Sequence, residues 1–515
     1  MRRLHVHEYE DCGKQAPFVL PLPGFLSPQA WPLISWMVLF RGLTPLLDRK
    51  GVSVHNKVIV GPVRQPDRYL SPFFVCCPFA DCRAHRLSQH AAELPVVGRI
   101  CNCRIRSMRL RVFDQAPALY SGLPRGGGAM DEQLETRAVQ LAAIDRATLT
   151  PLVQNALNSK AVEVTDCDYE QLHGGAGAGN AVYRFSGQGR EQERKNSWSL
   201  ILKTIQPIGG GTQVSAWNYY RREPDAYQSG WLDDLPGGLA APRCFGVVEH
   251  PDDTCWIWLE DVADEVGSHW PLEQYGVVAR HVGQFNGAYL VDRPMPSWTW
   301  LSSGWWRKYI AESAPAIPLI RDSLDHPLVR RGWPGDASAR LFRLWEERNL
   351  HLDALDRLPQ TLCHLDLFRR NLFARKTVDG DDQTIVIDWS YTGRGAIGQE
   401  LASLVLAGVA FNEVDFSQAQ ALEDIVFEGY LEGLHQAGWR GDPRQVRLGY
   451  TAASLRYRFA ELGDAMSLLL DESQHAWAER VFGRPVEEVQ DHWAQVGNLV
   501  DSLTAEAREL MDILG

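Results

Sequence analysis

Apolar residues along the chain follow two periods, and the change from one to the other predicts two kinds of structure. Residues 161–172, AVEVTDCDYEQL, and 197–205, SWSLILKTI, show the short apolar runs typical of β-strands. Residues 241–262 contain two more such runs around a turn. Residues 275–290, YGVVARHVGQFNGAYL, instead have apolar residues three and four positions apart, which is typical of a core helix. The pattern therefore predicts a β-rich part followed by a helical part.

Helical periodicity continues to the end of the chain, apart from one β-rich stretch at 361–390. The later helical segments are 420–438, 446–466 and 486–514. Before the first strand, Thr150 and Pro151 predict a helix N-terminus, with the threonine as N-cap and the proline in the first turn. Residues 130–147, MDEQLETRAVQLAAIDRA, predict an acidic amphipathic helix. We therefore expect an α+β protein.

Residues 1–129 show no sustained helical or strand period. Prolines interrupt their longest uncharged stretch, so that no uninterrupted part of it is long enough to span a membrane. No compact apolar core of a signal peptide follows Met1. The segment ends in a glycine-rich break, SGLPRGGGAM. We expect a weakly structured extension, or a spurious one that is not part of the working protein.

Charge divides at the same place. The 515 residues carry a net charge of −12. Residues 1–129 contain 17 Lys and Arg against 8 Asp and Glu, whereas residues 130–515 contain 35 against 56. The acidic excess of the longer part argues against a nucleic-acid partner and is compatible with cationic substrates.

Cysteine usage indicates a reducing compartment. Six of the ten cysteines lie before residue 130, and the other four stand singly among apolar residues, as in cytoplasmic proteins. The first group includes Cys76, Cys77 and Cys82, followed by two histidines and a C-x-C pair. Its spacing lacks the regular C-x2-C pairs of zinc sites. We expect a cytoplasmic protein and no zinc at these cysteines.

The segment 361–390, TLCHLDLFRRNLFARKTVDGDDQTIVIDWS, has three oxygen-bearing side chains at the edges of apolar runs. Asp366 and Asn371 stand five residues apart, and Asp388 ends the strand-like run TIVID. Charges at such edges are costly unless they bind something, whereas DGDD in the same segment is a typical hairpin turn. Phosphoryl transfer needs a base that orients a hydroxyl and oxygen ligands for Mg²⁺. These residues therefore predict a phosphotransfer site.

Two features upstream of this segment are compatible with a bound nucleotide. HGGAGAGNAVYRF places glycines between two predicted strands, among them Gly175, Gly177 and Gly179. Bare backbone there can approach phosphates, although a flexible turn has the same composition. Lys203 is the single charge in SWSLILKTI, and a surface lysine is the alternative interpretation. The helix predicted next carries Glu223 and Asp225, two candidate partners for this lysine.

The pattern H-x-D-x-x-x-x-N, followed by a strand and I-D-W, resembles the catalytic and metal-binding segments of the aminoglycoside phosphotransferase and choline kinase family, which has a protein-kinase-like fold. The resemblance covers roughly residues 150–500. It implies a small β-rich, nucleotide-binding N-lobe at 130–260. It also implies a larger helical C-lobe at 261–515 that holds the catalytic and substrate-binding residues.

The same resemblance implies a role for each candidate residue. Asp366 orients or deprotonates the acceptor hydroxyl, and Asn371 and Asp388 bind the metal. Lys203, held by Glu223, positions the phosphates of the nucleotide. The glycine segment contacts the phosphates, and the backbone of the hinge between the lobes holds the base. The hinge candidates are Leu259, Glu260 and Val262.

Departures from protein kinases favour a small molecule as the acceptor. Leu365 stands where those enzymes have the arginine that docks a phosphorylated activation loop, and no A-P-E segment follows Asp388. Phe368 stands where they have a lysine, which leaves Arg369 or Arg370 as the source of that charge.

We therefore expect a phosphotransferase that uses ATP or GTP with Mg²⁺ and has a hydroxylated small molecule as acceptor, aminoglycoside-like, choline-like or another metabolite. No nucleic-acid or membrane partner is expected. The alternative is a catalytically weak binding module or pseudoenzyme that senses a nucleotide or an amine, against which the retained acidic residues and Lys203 argue. Six of the 18 tryptophans fall within 298–345. They form either an amine-binding pocket or, as we favour, a helical lid on the core.

Removal of residues 1–129 tests the prediction that this segment is dispensable. A protein that begins at Met130 should keep the melting temperature and the nucleotide affinity of the full chain, because the cationic segment cannot join the core without burying unpaired charges and lacks the periodicity to build a core of its own. Thermal denaturation and nucleotide titration of both proteins measure this. A lower melting temperature, lost solubility, or zinc bound at Cys76, Cys77 and Cys82 would contradict the prediction.

Overall fold

The structure is a computed structural model that describes residues 137, 139–172, 180–207, 211–459 and 462–514. The predictions for residues 1–129, for their cysteines and for the glycines of segment 174–179 concern residues outside this set. The described residues all belong to one structural unit.

Strands and helices alternate at first, and helices dominate later. The strands are β1 (Glu163–Leu172), β2 (Ala181–Glu191), β3 (Arg194–Ile205), β4 (Leu239–Ala240), β5 (Cys244–Glu249), β6 (Cys255–Glu260), β7 (Ser302–Ser303), β8 (Gln360–Cys363), β9 (Leu372–Lys376), β10 (Asp382–Val386) and β11 (Gly393–Ala396). The α-helices are α1 (Arg146–Ala156), α2 (Arg222–Gln228), α3 (Leu272–Val291), α4 (Trp305–Ala311), α5 (Ala316–Asp322), α6 (Pro327–Gly332), α7 (Ala337–Arg357), α8 (Gly408–Ala410), α9 (Ala419–Gln436), α10 (Pro443–Ala453), α11 (Arg456–Phe459), α12 (Leu462–Leu470), α13 (His475–Phe482) and α14 (Val486–Leu510).

The first lobe is built on an antiparallel sheet with the strand order β1-β2-β3-β6-β5. Because side chains alternate along a strand, Leu200 and Leu202 of β3 face one side and Lys203 the other. The leucines pack with Trp258 of β6 and with Leu149 of α1 in a small hydrophobic core. The opposite side of β3 and β6 joins the main core of the second lobe. Lys203 therefore lies on the side of the sheet that faces the helical lobe.

Helix α1 begins earlier than its proline suggests. The helix starts at Arg146, and the side chain of Asp145 accepts a hydrogen bond from the Thr148 N–H at 2.8 Å. The expectation that Thr150 is the N-cap and Pro151 lies in the first turn was wrong. Asp145 is a better cap because its carboxylate reaches the free N–H groups of the first turn, and Pro151 is accommodated inside the helix.

Two three-stranded sheets of the second lobe carry the segment 361–390. Their strand orders are β4-β10-β9 and β7-β11-β8. The loop between β8 and β9 contains Asp366 and Asn371, and the β9–β10 hairpin turns at DGDD, as predicted. Gly380 in this turn has a φ of +91°, a conformation that favours glycine. Strand β10 ends at Val386, so that Asp388 follows its carboxyl end.

Glycines allow helices α3 and α9 to approach each other closely. A Cβ atom on Gly433 would lie 1.9 Å from the carbonyl oxygen of Arg280, and one on Gly283 would lie 2.2 Å from that of Tyr430. The Tyr430 hydroxyl donates to Asn286 Oδ1 at 2.7 Å, and the Asn286 amide donates to the carbonyl of Leu362 in β8 at 2.8 Å. The helix pair thus supports the strand that leads to Asp366.

The described part of the chain combines a small β-rich lobe with a larger helical lobe, as the hydrophobic pattern predicts. No helix within the described ranges is long and apolar enough to cross a membrane.

Substitution of Gly433 by Ala should destabilise the helical lobe, because the new methyl group meets backbone of α3 and the two helices must separate. We expect the free energy of unfolding to fall by about 1–3 kcal/mol, measured by urea denaturation. Gly408→Ala is the control, since the nearest atom to its Cβ lies at 3.7 Å, an ordinary contact. Equal losses for both variants would contradict the close packing of the two helices.

Candidate active site

Lys203 lies on the central strand β3 and pairs with Glu223 of α2, as predicted. Its Nζ lies 2.5 Å from Glu223 Oε2 and 2.9 Å from Asp388 Oδ1. The side chains of Lys203 and Glu223 are 9% and 1% exposed, so that water screens the pair only weakly. Asp225, the rival partner, lies 3.6 Å from Arg221 instead. One lysine thus joins a strand and a helix of the first lobe to the end of β10.

The charges in this cluster depend on one another. Burial opposes the charge of Lys203, but attraction to Asp388 and Glu223 outweighs it and raises the pKa of the lysine. Burial likewise opposes the charge of Asp388, yet Lys203 and a hydrogen bond from Ser390 lower the pKa of that carboxyl. Burial raises the pKa of Glu223 despite the attraction of Lys203, although the 2.5 Å distance indicates a charged pair. With both carboxylates ionised, the cluster has an excess negative charge that suits a cation.

Asp388 has one carboxylate oxygen tied to the protein. Its Oδ1 accepts a hydrogen bond from Ser390 Oγ at 2.7 Å and contacts Lys203. Within the described residues, no hydrogen bond uses Oδ2, and the side chain is 33% exposed. The backbone has a φ of +63°, an uncommon conformation that aspartate tolerates better than most residues. Asp388 therefore presents a partly exposed carboxylate from a fixed position.

Arg222 fixes the position of helix α2. Its side chain is buried, and the guanidinium donates hydrogen bonds to backbone carbonyls at 2.6–3.1 Å. The acceptors are those of Ala216, Trp217, Trp300 and Ser390. Burial lowers the pKa of Arg222 to about 10. Because Arg222 precedes Glu223 and contacts the segment after Asp388, it holds the ion cluster together.

Asp366 and Asn371 contact each other in the loop between β8 and β9. The Asn371 amide nitrogen donates to the carbonyl oxygen of Asp366 at 2.9 Å and lies 3.4 Å from its Oδ2. In this orientation the amide oxygen of Asn371 is the atom left for a metal ion. The Ile387 N–H donates to the carbonyl of Asn371 at 3.0 Å. This bond holds the loop beside the segment that leads to Asp388.

His364 connects the two segments that carry the candidate carboxylates. Its Nε2–H donates to the carbonyl of Ile387 at 3.0 Å, and its Nδ1 accepts the N–H of Asp366 at 3.3 Å. This pattern requires a neutral ring with the proton on Nε2. Burial lowers the pKa of His364 to about 4, so that the neutral form persists near neutral pH. One imidazole therefore fixes the distance between the backbones near Asp366 and Asp388.

Glu400 holds the backbone just before Asp366. Its Oε1 accepts the N–H groups of His364 and Leu365 at 2.6 and 2.9 Å, and its Oε2 accepts the amide of Asn286 at 2.9 Å. Leu365 has a φ of +69°, which is strained for a residue with a branched side chain. The two backbone hydrogen bonds donated to Glu400 offset this strain. Burial raises the pKa of Glu400 against these bonds.

The predicted hinge residues lie where the chain leaves the first lobe. Leu259 and Glu260 end β6, and residues 261–264 cross to the second lobe. Glu260 Oε1 pairs with Arg375 of β9 at 2.8 Å. Among the described residues, the backbone N–H and C=O of Val262 have no hydrogen-bond partner. Val262 can thus offer a donor and an acceptor to a flat ring.

The arginines that follow Asp366 in the sequence are engaged elsewhere. Arg369 lies 2.6 Å from Asp264, and Arg370 lies 2.8 Å from Glu413. The guanidinium beside Asp366 belongs to Arg456 of α11, whose Nη2 lies 3.4 Å from Asp366 Oδ1.

Tryptophans of the 298–345 region pack into the core beside this arginine. Trp305 and Trp306 open helix α4 and are buried. The guanidinium carbon of Arg456 lies 4.9 and 5.3 Å from their ring centroids and 5.8 Å from that of Tyr309. Packing on the core, the favoured prediction, is observed, and the cation on these rings is a residue of this chain.

Sequence reasoning assigned no role to several residues that shape the site. They are Arg222, His364, Glu400, Ser390 and Arg456. His364 stands inside the quoted H-x-D pattern, and a signal for it existed. Ser390 stands only two positions after its partner Asp388, and Arg222 has both near and distant acceptors. Glu400 and Arg456 carry no local signal because their partners are distant in the sequence; for example, Arg456 and Asp366 are 90 positions apart.

Acid should weaken the fold through His364. An unfolded histidine protonates near pH 6.5, whereas folded His364 stays neutral to about pH 4, so the unfolded state binds more protons between these values. The stability that neutral His364 contributes is complete above about pH 6.5 and is lost as the pH falls toward 4. In His364→Gln, the free energy of unfolding should lose about 2–3 kcal/mol less over this range than in the unmodified protein. Urea unfolding at several pH values measures this, with exposed His269→Gln as control; identical slopes would contradict it.

Comparison with known proteins identifies a family to which the sequence is similar. A sequence model of the phosphotransferase enzyme family matches residues 176–448, more than half of the chain. No curated protein matches the sequence significantly.

Solved structures with a similar course of the chain include three kinases. An amicoumacin kinase in complex with AMP-PNP and Ca²⁺ is 13% identical, with 63% of this chain and 88% of that chain covered and a TM-score of 0.39. An aminoglycoside phosphotransferase from Alicyclobacillus acidocaldarius is 14% identical, with 66% of this chain and 92% of that chain covered and a TM-score of 0.41. A choline kinase from Cryptosporidium parvum is 13% identical, with 67% of this chain and 90% of that chain covered and a TM-score of 0.37. On the strength of the family match, the chain, with its two-lobed protein-kinase-like fold, belongs to the phosphotransferase enzyme family.

Proposed function

We propose that the protein transfers the γ-phosphoryl group of ATP or GTP to a hydroxyl group of a small molecule, with Mg²⁺ as cofactor. The observation that carries this proposal is the junction at Asp388. There a buried Lys203–Glu223 pair meets a partly exposed carboxylate, and Asn371 is tied to the same segment through Ile387. The lysine suits the negative charge of a nucleoside triphosphate, and the oxygen donors beside it suit the metal ion that accompanies such a ligand.

The nucleotide would lie between the lobes. Lys203 has two carboxylate partners in this structure, and a phosphate oxygen could share its remaining donor capacity. The unpaired backbone of Val262, next to Leu259 and Glu260, would hold the edge of the base. Gly175, Gly177 and Gly179 remain proposed phosphate contacts.

The residues present fit a magnesium ion by their donor chemistry. Asn371 would offer its amide oxygen and Asp388 its Oδ2, both hard oxygen ligands. Mg²⁺ usually has one or two protein ligands and completes its shell with water and phosphate oxygens. When bound, the ion would neutralise negative charge on the phosphates.

Asp366 would act on the acceptor. Its carboxylate orients the acceptor hydroxyl and takes its proton, the acceptor oxygen forms a bond to the γ-phosphorus, and the bond to the β,γ-bridging oxygen breaks, which releases ADP or GDP. The backbone beside Asp366 is fixed by His364, Glu400 and Asn371. Positioning of this kind is the main contribution that proteins make to phosphoryl transfer.

We propose a soluble metabolite or antibiotic-like compound as acceptor, in the cytoplasm, rather than a nucleic acid or a membrane component. The acidic composition of residues 130–515 and the lack of an arginine at Leu365 support this choice. Screening hydroxylated amines, aminoglycosides and choline for acceptor-dependent release of ADP would identify the class.

Substitution of Asp366 by Asn should separate binding from turnover. The variant keeps the size of the side chain but loses the proton acceptor, so we expect the turnover number to fall by a factor on the order of 100 or more while nucleotide affinity stays within about twofold. Acceptor-dependent ADP release and nucleotide titration measure the two quantities. Asp379→Asn, in the exposed DGDD turn, is the matched control. Full activity in Asp366→Asn would refute the role of this carboxylate.

Substitution of Asp388 by Ala should affect the nucleotide itself. Loss of the proposed metal ligand should abolish the Mg²⁺-dependent part of nucleotide binding, which titration with and without Mg²⁺ measures. An unmodified protein that binds the nucleotide and shows no turnover with any acceptor, or with water, would instead favour a binding module.

A further inference from the structure

The guanidinium beside Asp366 belongs to Arg456 and not to a residue near Asp366 in the sequence. Phe368 follows Asp366 by two residues and packs against Phe411, with ring centroids 6.1 Å apart. Arg369 and Arg370 are paired with Asp264 and Glu413. The positive charge at this point therefore reaches the loop from another element of the second lobe.

Arg456 contacts the loop at more than one point. Its Nη2 lies 3.4 Å from Asp366 Oδ1, and its Nη1 lies 3.5 Å from the carbonyl oxygen of Leu365 and 3.4 Å from Ser403 Oγ. Leu365 is the residue with the strained backbone. The side chains of Arg456 and Asp366 are each 5% exposed. In such a site a charge interaction is much stronger than on the surface.

Aromatic rings hold the guanidinium in place independently of Asp366. Trp305, Trp306 and Tyr309 approach it from α4, and Tyr457 lies beside it with its centroid at 5.7 Å. Cation–π contacts fix the plane of an arginine and exclude water from it. A donor that is oriented before the reaction needs no rearrangement when charge develops.

Arg458, a second arginine of helix α11, has a purely structural role. Arg458 is also buried, but it pairs with Asp501 at 3.3 Å and donates to the carbonyl of Ala337. Its partners belong to α14 and α7 and not to the loop of Asp366. The two arginines are therefore equally buried but pair with different carboxylates, Arg456 with Asp366 and Arg458 with Asp501.

We propose that Arg456 is the positioning residue of the transfer step: it orients the carboxylate of Asp366 and supplies, from helix α11, the positive charge next to the acceptor hydroxyl. This inference rests on the proposed function, since it concerns the same reaction. The proton still passes from the acceptor hydroxyl to Asp366, and Arg456 neither gains nor loses one. A further consequence is that Arg456 occupies the position over the aromatic rings of α4, so that these rings do not bind an ammonium group of the substrate.

The test compares Arg456→Met and Arg456→Lys with Arg458→Met, using ATP with Mg²⁺ and water as the acceptor, and measuring kcat, the KM for ATP and the melting temperature. We expect Arg456→Met to lower kcat about 100-fold and to leave the KM for ATP within about twofold. Arg456→Lys should recover about tenfold of this loss, because lysine restores the charge but not the forked geometry. Arg458→Met should lower the melting temperature and keep kcat within about threefold.

The outcomes separate the two proposals. If the unmodified protein releases ADP and Arg456→Met retains the kcat of Arg458→Met, the role of Arg456 is refuted and the proposed function stands. If the unmodified protein binds ATP but releases no ADP with water or with the screened acceptors, both are refuted. If Arg456→Met does not fold, Arg456→Lys decides: a kcat equal to that of the unmodified protein would also refute the inference.

Discussion

Burial of Lys203 between two carboxylates joins three segments that are distant in the chain. Lys203 comes from the central strand of the first lobe, Glu223 from the next helix, and Asp388 from 185 positions downstream. A buried lysine without partners would lose its charge or destabilise the fold. With both partners present, the cluster stabilises one relative arrangement of β3, α2 and β10. The proposed site for the nucleotide and the metal depends on this arrangement.

Hydrogen bonds support this cluster from the helical lobe. Arg222 attaches α2 to the segment after Asp388 through carbonyls rather than through a countercharge. His364 and Glu400 attach the loop of Asp366 to the same segment and to the helix pair α3–α9. Each is buried, so the loss of one partner would leave an unsatisfied polar group. The site is therefore held by a network in which each member has a specific partner.

Strain in the backbone occurs at two residues next to the proposed chemistry. Leu365 and Asp388 both have positive φ values without being glycine. Glu400 holds the first by accepting its N–H and that of His364, and Ser390 and Lys203 hold the second through its side chain. Such conformations persist only where the surroundings determine them. They aim the side chains of Asp366 and Asp388 in directions that a relaxed loop would not fix.

The sequence by itself determined what depends on neighbours along the chain. The alternation in SWSLILKTI, the helical period from residue 275 and the DGDD turn predicted strands, helices and the hairpin, because such patterns reflect which side of an element is buried. The spacing of Asp366, Asn371 and Asp388 singled out the candidate site for the same local reason. The N-terminus of α1 was missed because two residues, Asp145 and Thr150, could each act as a cap, and the structure uses the earlier one. Only the tertiary structure decided between Glu223 and Asp225 as partner of Lys203, and only it brought Arg456 to Asp366 in place of Arg369 or Arg370. Long-range pairs of this kind follow from how helices and strands pack in space. The residues next to a side chain in the sequence do not indicate which distant residue it will contact.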